Sequence, residues 1–142
     1  ALDRGRITIG AIAVGLAQRA LDEAVKYSLE RQQFNQAIFE FQGLQWMMAD
    51  MATEVVSSRL LVERAAENFD NGKIDAKLAS MAKMKATDTA MSVSTDAVQI
   101  HGGYGYTKEF PVEKFYRDSK LCTIGEGTTE IQKLVIARNI LK

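Results

Sequence analysis

The side chains that could do chemistry gather in three glycine-rich or polar stretches. The most concentrated is Ile124-Gly125-Glu126-Gly127-Thr128-Thr129-Glu130-Ile131-Gln132, where one carboxylate stands between two glycines ahead of an apolar run. Glycines on both sides let the backbone approach a ligand closely and adopt dihedrals that a side chain forbids. Thr129 and Gln132 have the spacing of a capping box, which predicts a helix start at that point. Its free N–H groups and positive dipole end would face back toward Glu126. Glu126 is therefore a candidate general base or anion-site residue, and the same spacing fits a capped helix start with an exposed Glu.

The other two stretches are Arg31-Gln32-Gln33-Phe34-Asn35-Gln36 and His101-Gly102-Gly103-Tyr104-Gly105-Tyr106. The latter is not a dinucleotide fingerprint, because it follows a helix instead of a strand and lacks the third glycine. Bare backbone beside aromatic rings suits a pyrophosphate or a planar ring, and suits equally a helix stop with a tight turn. His101 by itself reads as a capping or packing residue. One cysteine, Cys122, and one histidine leave no Cys cluster and few His-ligated metals open, so no metal site is expected.

Composition narrows the classes. The 142 residues are 46% hydrophobic and 25% charged, as in an ordinary globular domain, and one domain is the natural reading. Lys plus Arg and Asp plus Glu each number 18, and this balance argues against nucleic acid as the main partner. No run is long enough to span a bilayer. The basic start Arg4-Gly5-Arg6 before Ile7 loosely mimics a signal peptide, but the amphipathic pattern continues past Ala20, so a fragment cut at a domain boundary is the expectation.

The elements that must position these stretches are helices. A single proline, Pro111, and long intervals between glycines predict a few long ones. The first covers about Asp3 to Arg31, with Asp3 as cap, small residues (Gly10, Ala13, Ala17, Ala20, Ala24) on one side, and a second apolar stripe at Val14, Leu21, Val25 and Leu29. A helix apolar on two faces is central in its domain or shared with a neighbouring subunit. The second covers about Glu40 to Asn71, its seam stepping by three and four through Phe41, Leu44, Met48, Met51, Val55, Ser58, Val62, Ala65 and Phe69. The third covers about Asp75 to His101 with an alanine-rich seam (Ala79, Ala82, Ala86, Ala90, Val93, Ala97, Ile100), and Gly102-Gly103 stops it. A short helix near Glu113 to Lys120 and a last one from about Thr129 to Leu141 complete an all-α, antiparallel up-down four-helix bundle with a short extra helix and no convincing strand. In that topology the turns after helices one and three share an end.

Together the stretches resemble the C-terminal helical domain of the acyl-CoA dehydrogenases, from Leu2 to the end of the chain. Four motifs carry the resemblance: Leu2-Asp-Arg-Gly-Arg-Ile7; Arg31-Gln-Gln-Phe34 with Phe41-Gln42; Ala97-Val-Gln-Ile-His-Gly-Gly-Tyr-Gly-Tyr106; and Arg117-Asp118 leading into Ile124 to Gln132. The resemblance implies α,β-dehydrogenation of an acyl-CoA thioester with FAD as hydride acceptor. Glu126 then matches the base that removes the α-proton, a role that requires burial to raise its pKa from about 4.3. Gly127 matches a substrate contact, and Asp3, Arg4, Gly5 and Arg6 match the segment lining the CoA channel. Thr128, Thr129 and Glu130 match FAD contacts. Arg31, Gln42, Gln99, Ile100, His101, Gly102 and Gly103 match positions reaching the flavin of the neighbouring subunit, and Gln33, Phe34 and Phe41 match cofactor-binding positions.

In isovaleryl-type and long-chain members the base lies on the first helix, at the position of Gly5, so the short- or medium-chain, butyryl-CoA dehydrogenase-like arrangement is favoured. Gly125 stands where many members have Tyr, Asn35 where Gly is frequent, and Glu130 where some have Gln. The family's N-terminal helical and middle β domains are not in this sequence, so the chain alone is expected to bind FAD weakly and turn over little. A homo-oligomer (a dimer of dimers in the full-length family) and an electron-transfer flavoprotein as acceptor are the implied partners. The compartment implied is a bacterial cytoplasm or the mitochondrial matrix. Two competing readings are an acyl-CoA oxidase on the same scaffold and a non-catalytic helical oligomerisation module.

Overall fold

The computed structural model describes residues 2–142. Five helices dominate: α1 (Leu2–Glu30), α2 (Gln42–Asp70), α3 (Ala76–His101), α4 (Val112–Cys122) and α5 (Thr129–Ile140). The fold is the expected all-α bundle, with α3 at its centre in contact with α1, α2, α4 and α5. Phe41, Leu44, Met48 and Phe69 of the expected second seam are half-buried, and the other expected small-residue and apolar seam positions are the buried ones. On α1 they are Gly10, Ala13, Ala17, Ala20 and Ala24; on α2, Met51, Val55, Ser58, Val62 and Ala65; on α3, Ala79 through Ile100. Small side chains let backbones approach: a Cβ on Gly10 would lie 3.1 Å from Val62 Cγ2 and 3.7 Å from the Ala82 carbonyl oxygen. The second stripe of α1 is covered only in part, since Val14 is buried while Val25 and Leu29 are exposed.

Helix ends follow local chemistry, with three corrections to the sequence reading. Asp75 caps α3, accepting from the Leu78 N–H at 2.9 Å, and Asn71 with Gly72 (φ 74°) ends α2 as expected. Asp3, however, is not a cap: α1 already begins at Leu2, and the Asp3 carboxylate takes the Arg6 guanidinium at 2.8 Å. The cap of α5 is Thr128, not Thr129, its hydroxyl accepting from the Ile131 N–H at 3.4 Å. Of two adjacent threonines the first has the extended backbone a cap needs, and Gln132 is drawn into the interior instead of back to the helix start.

The third correction is a strand pair where none was expected. Gln32–Gln33 (β1) and Gln36–Ala37 (β2) form an antiparallel ladder, with Gln32 opposite Ala37 and Gln33 opposite Gln36. Phe34 (φ 52°) and Asn35 (φ 62°) close it in the left-handed conformation that two-residue hairpins prefer. Asn tolerates that region and so serves where glycine is more usual.

Candidate functional site

Glu126 lies in the turn between α4 and α5, and its backbone is held from both sides. Upstream, the Ile124 and Gly125 N–H groups each donate to the Leu121 carbonyl at 3.0 Å, tying the turn to α4. Downstream, the Glu126 carbonyl accepts from Gln132 Nε2 at 3.2 Å, and the Gly127 carbonyl accepts from Gln132 Nε2 at 2.9 Å and from Lys83 Nζ at 2.7 Å. Glu126 has φ 57° and Gly127 φ 99°. A left-handed Glu costs roughly 1–2 kcal/mol, which these bonds offset. The φ of Gly127 favours glycine, and a Cβ there would also lie 2.7 Å from Gln132 Nε2 and displace it.

The side chain of Glu126 reaches across to α1. A Cβ built on Gly5 would fall 2.6 Å from the Glu126 carboxyl carbon, so the carboxylate lies in the space that a side chain at position 5 would take. Glu126 is exposed, and the burial that the base role requires is not supplied by the described residues. Beside it, Arg6 is buried and turned to Asp3, while Arg4 is exposed and borders a shallow cleft with Ile7, Ala66 and Phe69. Thr128 and Thr129 are half-buried; Glu130 is exposed, its carboxyl held below the usual range by its own backbone N–H and the Thr128 hydroxyl.

Beneath the turn lies Lys83, fully buried on α3. Burial pushes its ammonium below the ordinary lysine value; Cys122, Asp88 and Glu126 pull the other way, and Arg6 adds to the lowering. Sequence reasoning missed Lys83, and it took Gln132 for a capping residue. A signal existed: Lys83 stands next to Ala82 and between Ala79 and Ala86 on the seam face, where an unpaired lysine is rarely found. Cys122 is buried there too, its thiol pushed up mainly by that burial, which makes it unreactive.

The opposite end of the bundle holds a separate, open groove of about 620 Å³. Arg31, Gln33, Phe34 and Phe41 line it from one side, and Gln99, Ile100, His101, Gly102 and Gly103 from the other. Gln42 is exposed and outside this lining. The turns after α1 and α3 thus share an end, as the topology predicts. A Cβ on Gly102 or Gly103 would meet nothing within 4 Å, so bare backbone faces the groove there. Arg31 lies 5.6 Å from the centroid of the Tyr104 ring and supplies a cation. His101 is a packing residue: its ring stacks on Tyr27 at 4.2 Å, and Nδ1–H donates to the Ala97 carbonyl at 2.8 Å. That bond fixes the tautomer and leaves a buried, unpartnered Nε2. Cation, bare backbone and flanking aromatics fit the diphosphate and rings of a dinucleotide.

The two sites do not meet within one chain. Gly5 and Arg31 are separated by the full length of α1, about 39 Å at 1.5 Å per residue. Among the described residues no group of His, Cys, Asp and Glu side chains could hold a metal ion, and no helix is long and apolar enough to cross a membrane.

With this geometry in place, comparison with known proteins assigns the class. The family described as acyl-CoA dehydrogenase, C-terminal domain, matches residues 1–141. Cyclohexane-1-carbonyl-CoA dehydrogenase of Geobacter metallireducens is 50% identical over 140 residues, 99% of this chain and 37% of that protein. The caffeyl-CoA reductase-Etf complex subunit CarC of Acetobacterium woodii is 49% identical over 141 residues, 99% of this chain and 37% of that protein. Butyryl-CoA dehydrogenase from Megasphaera elsdenii superposes with a TM-score of 0.98 at 44% identity, covering 99% of this chain and 37% of that one. The chain belongs to the acyl-CoA dehydrogenase family of FAD-dependent oxidoreductases, as its C-terminal helical domain. It spans little more than a third of the length of these relatives.

Proposed function

We propose that this chain is the catalytic C-terminal part of an FAD-dependent enzyme that oxidises the α,β bond of short- or medium-chain acyl-CoA thioesters, with Glu126 as the base. The observation that carries the reading is the carboxylate of Glu126 lying over Gly5, on a backbone fixed by α3, α4 and α5. A base must be held at a set position relative to the carbon it deprotonates, and a pinned turn does this better than a free loop. The missing burial would come from the bound acyl chain. FAD, when bound, supplies the acceptor for the β-hydride. Glu126 removes the α-proton, Gly127 lets the thioester approach the turn, and Gly5 leaves room for the carboxylate. Thr128, Thr129 and Glu130 would touch the cofactor.

The separation of the two sites supports a homo-oligomer. Arg31 and the Gln99–Gly103 segment would then complete the cofactor site of a neighbouring copy, and the exposed Val25 and Leu29 on α1 fit a subunit contact. An electron-transfer flavoprotein is the proposed electron partner, in keeping with the complex named for CarC. That relative is a reductase. By microscopic reversibility the same Glu126 would deliver the α-proton if the reaction ran toward saturation.

The test is Glu126→Gln in the full-length protein. Bleaching of the flavin band by butyryl-CoA is expected to slow by about 10²–10⁴-fold with flavin content unchanged. An unaltered rate would refute the assignment. Oxygen consumption during turnover would separate an oxidase from a dehydrogenase.

A further inference from the structure

Lys83 is the largest fully buried side chain in the domain, and the proposed chemistry gives it no part. Its ammonium is spent on one acceptor, the Gly127 carbonyl, at 2.7 Å. That carbonyl already receives a neutral donor, Gln132 Nε2, at 2.9 Å. A half-buried acceptor is satisfied by one partner, so a second donor, from a fully buried lysine, is not explained by satisfaction alone. A methionine of similar length would fill the same space without a buried charge.

Two donors do what one cannot. Lys83 comes from α3 and Gln132 from α5, so the Gly127 carbonyl is fixed along both of its lone-pair directions. Gln132 also holds the Glu126 carbonyl, which pins both peptide units that follow the Glu126 α-carbon. The left-handed φ of Glu126 points its side chain toward α1 and over Gly5. Among the described residues no hydrogen bond holds the carboxylate itself, so the backbone alone sets where it starts. From these contacts we propose that Lys83, acting with Gln132, is a positioning residue that locks the Glu126–Gly127 turn and thereby aims the Glu126 carboxylate. The inference rests on the reading of Glu126 as the base.

The experiment uses the full-length flavoprotein with Lys83→Met, Gln132→Met and Glu126→Gln, mixed with butyryl-CoA in a stopped-flow spectrometer. The limiting rate of flavin bleaching, normalised to bound flavin, is expected to fall about ten- to hundred-fold in Lys83→Met, with the apparent Kd for butyryl-CoA nearly unchanged. Amide hydrogen exchange across residues 123–132 should accelerate about ten-fold or more while the rest of α3 keeps its protection. Adding Lys83→Met to Glu126→Gln should cost nothing further. A wild-type rate per flavin with unaltered exchange overturns the proposal, and so does a loss confined to flavin content or melting temperature. If Lys83→Met does not fold, Gln132→Met is judged by the same readouts in both directions. A wild-type rate in Glu126→Gln would instead sink the base assignment itself.

Discussion

The carboxylate of Glu126 and the bare α-carbon of Gly5 share one space: a Cβ on Gly5 would lie 2.6 Å from Glu126 Cδ and 3.1 Å from Oε1. Residues more than a hundred positions apart in sequence are thus mutually exclusive in bulk. A carboxylate there can be carried by the turn after α4 or by the first turns of α1, but not by both.

Gly5→Ala tests this directly. Within a helix, alanine is favoured over glycine by about 1 kcal/mol, so the substitution should leave melting unchanged or slightly raise it. The displaced group is the end of a flexible side chain, and the carboxylate will swing aside. Flavin reduction by butyryl-CoA in the full-length protein should drop by about ten-fold or more, at unaltered flavin content. Gly5→Glu placed in a Glu126→Gly background should recover part of the lost rate, because the new carboxylate enters the same space.

Gly105 marks a second steric limit, at the other end. A Cβ there would meet the Val98 carbonyl oxygen at 2.6 Å and His101 Cβ at 2.8 Å, and the first of these is helix backbone that cannot yield cheaply. Gly105→Ala should destabilise by about 1–3 kcal/mol. At Gly103 nothing lies within 4 Å of the added atom, so Gly103→Ala should stay within about 0.5 kcal/mol of wild type. Urea unfolding of both variants distinguishes the two sites.

His101 makes stability depend on pH. Burial holds its imidazole below the ordinary value of 6.5, against the bond to Ala97 and the charge of Glu23, which pull upward. Between the folded and unfolded pKa values the unfolded chain binds more protons, so stability rises with pH there. The contribution is complete above 6.5 and is lost as pH falls through the lower folded value. His101→Phe keeps a ring against Tyr27 and Phe110 but cannot titrate. Its melting temperature should fall less than that of wild type between about pH 7 and pH 5. Equal slopes would place the dependence elsewhere.

Much of this molecule is set by the order of residues alone. Three- and four-residue spacing of small and apolar side chains fixed the faces of α1, α2 and α3, because a helix presents neighbours at those intervals whatever surrounds it. Asn71-Gly72 and Gly102-Gly103 ended helices for the same local reason, and the motifs around Arg31, His101 and Glu126 carried the family. Packing decided the rest. The hairpin at Gln32–Ala37 is two residues per strand, too short for an alternating pattern to show. Thr128 instead of Thr129 is the cap because its backbone is the extended one, and Gln132 points into the interior. The bond from Lys83 to Gly127, the seating of Glu126 over Gly5, and the division of the site residues between two ends of the bundle join residues distant in the chain. Spacing tells which face a side chain is on. Which partner it meets there depends on the helices that pack against that face.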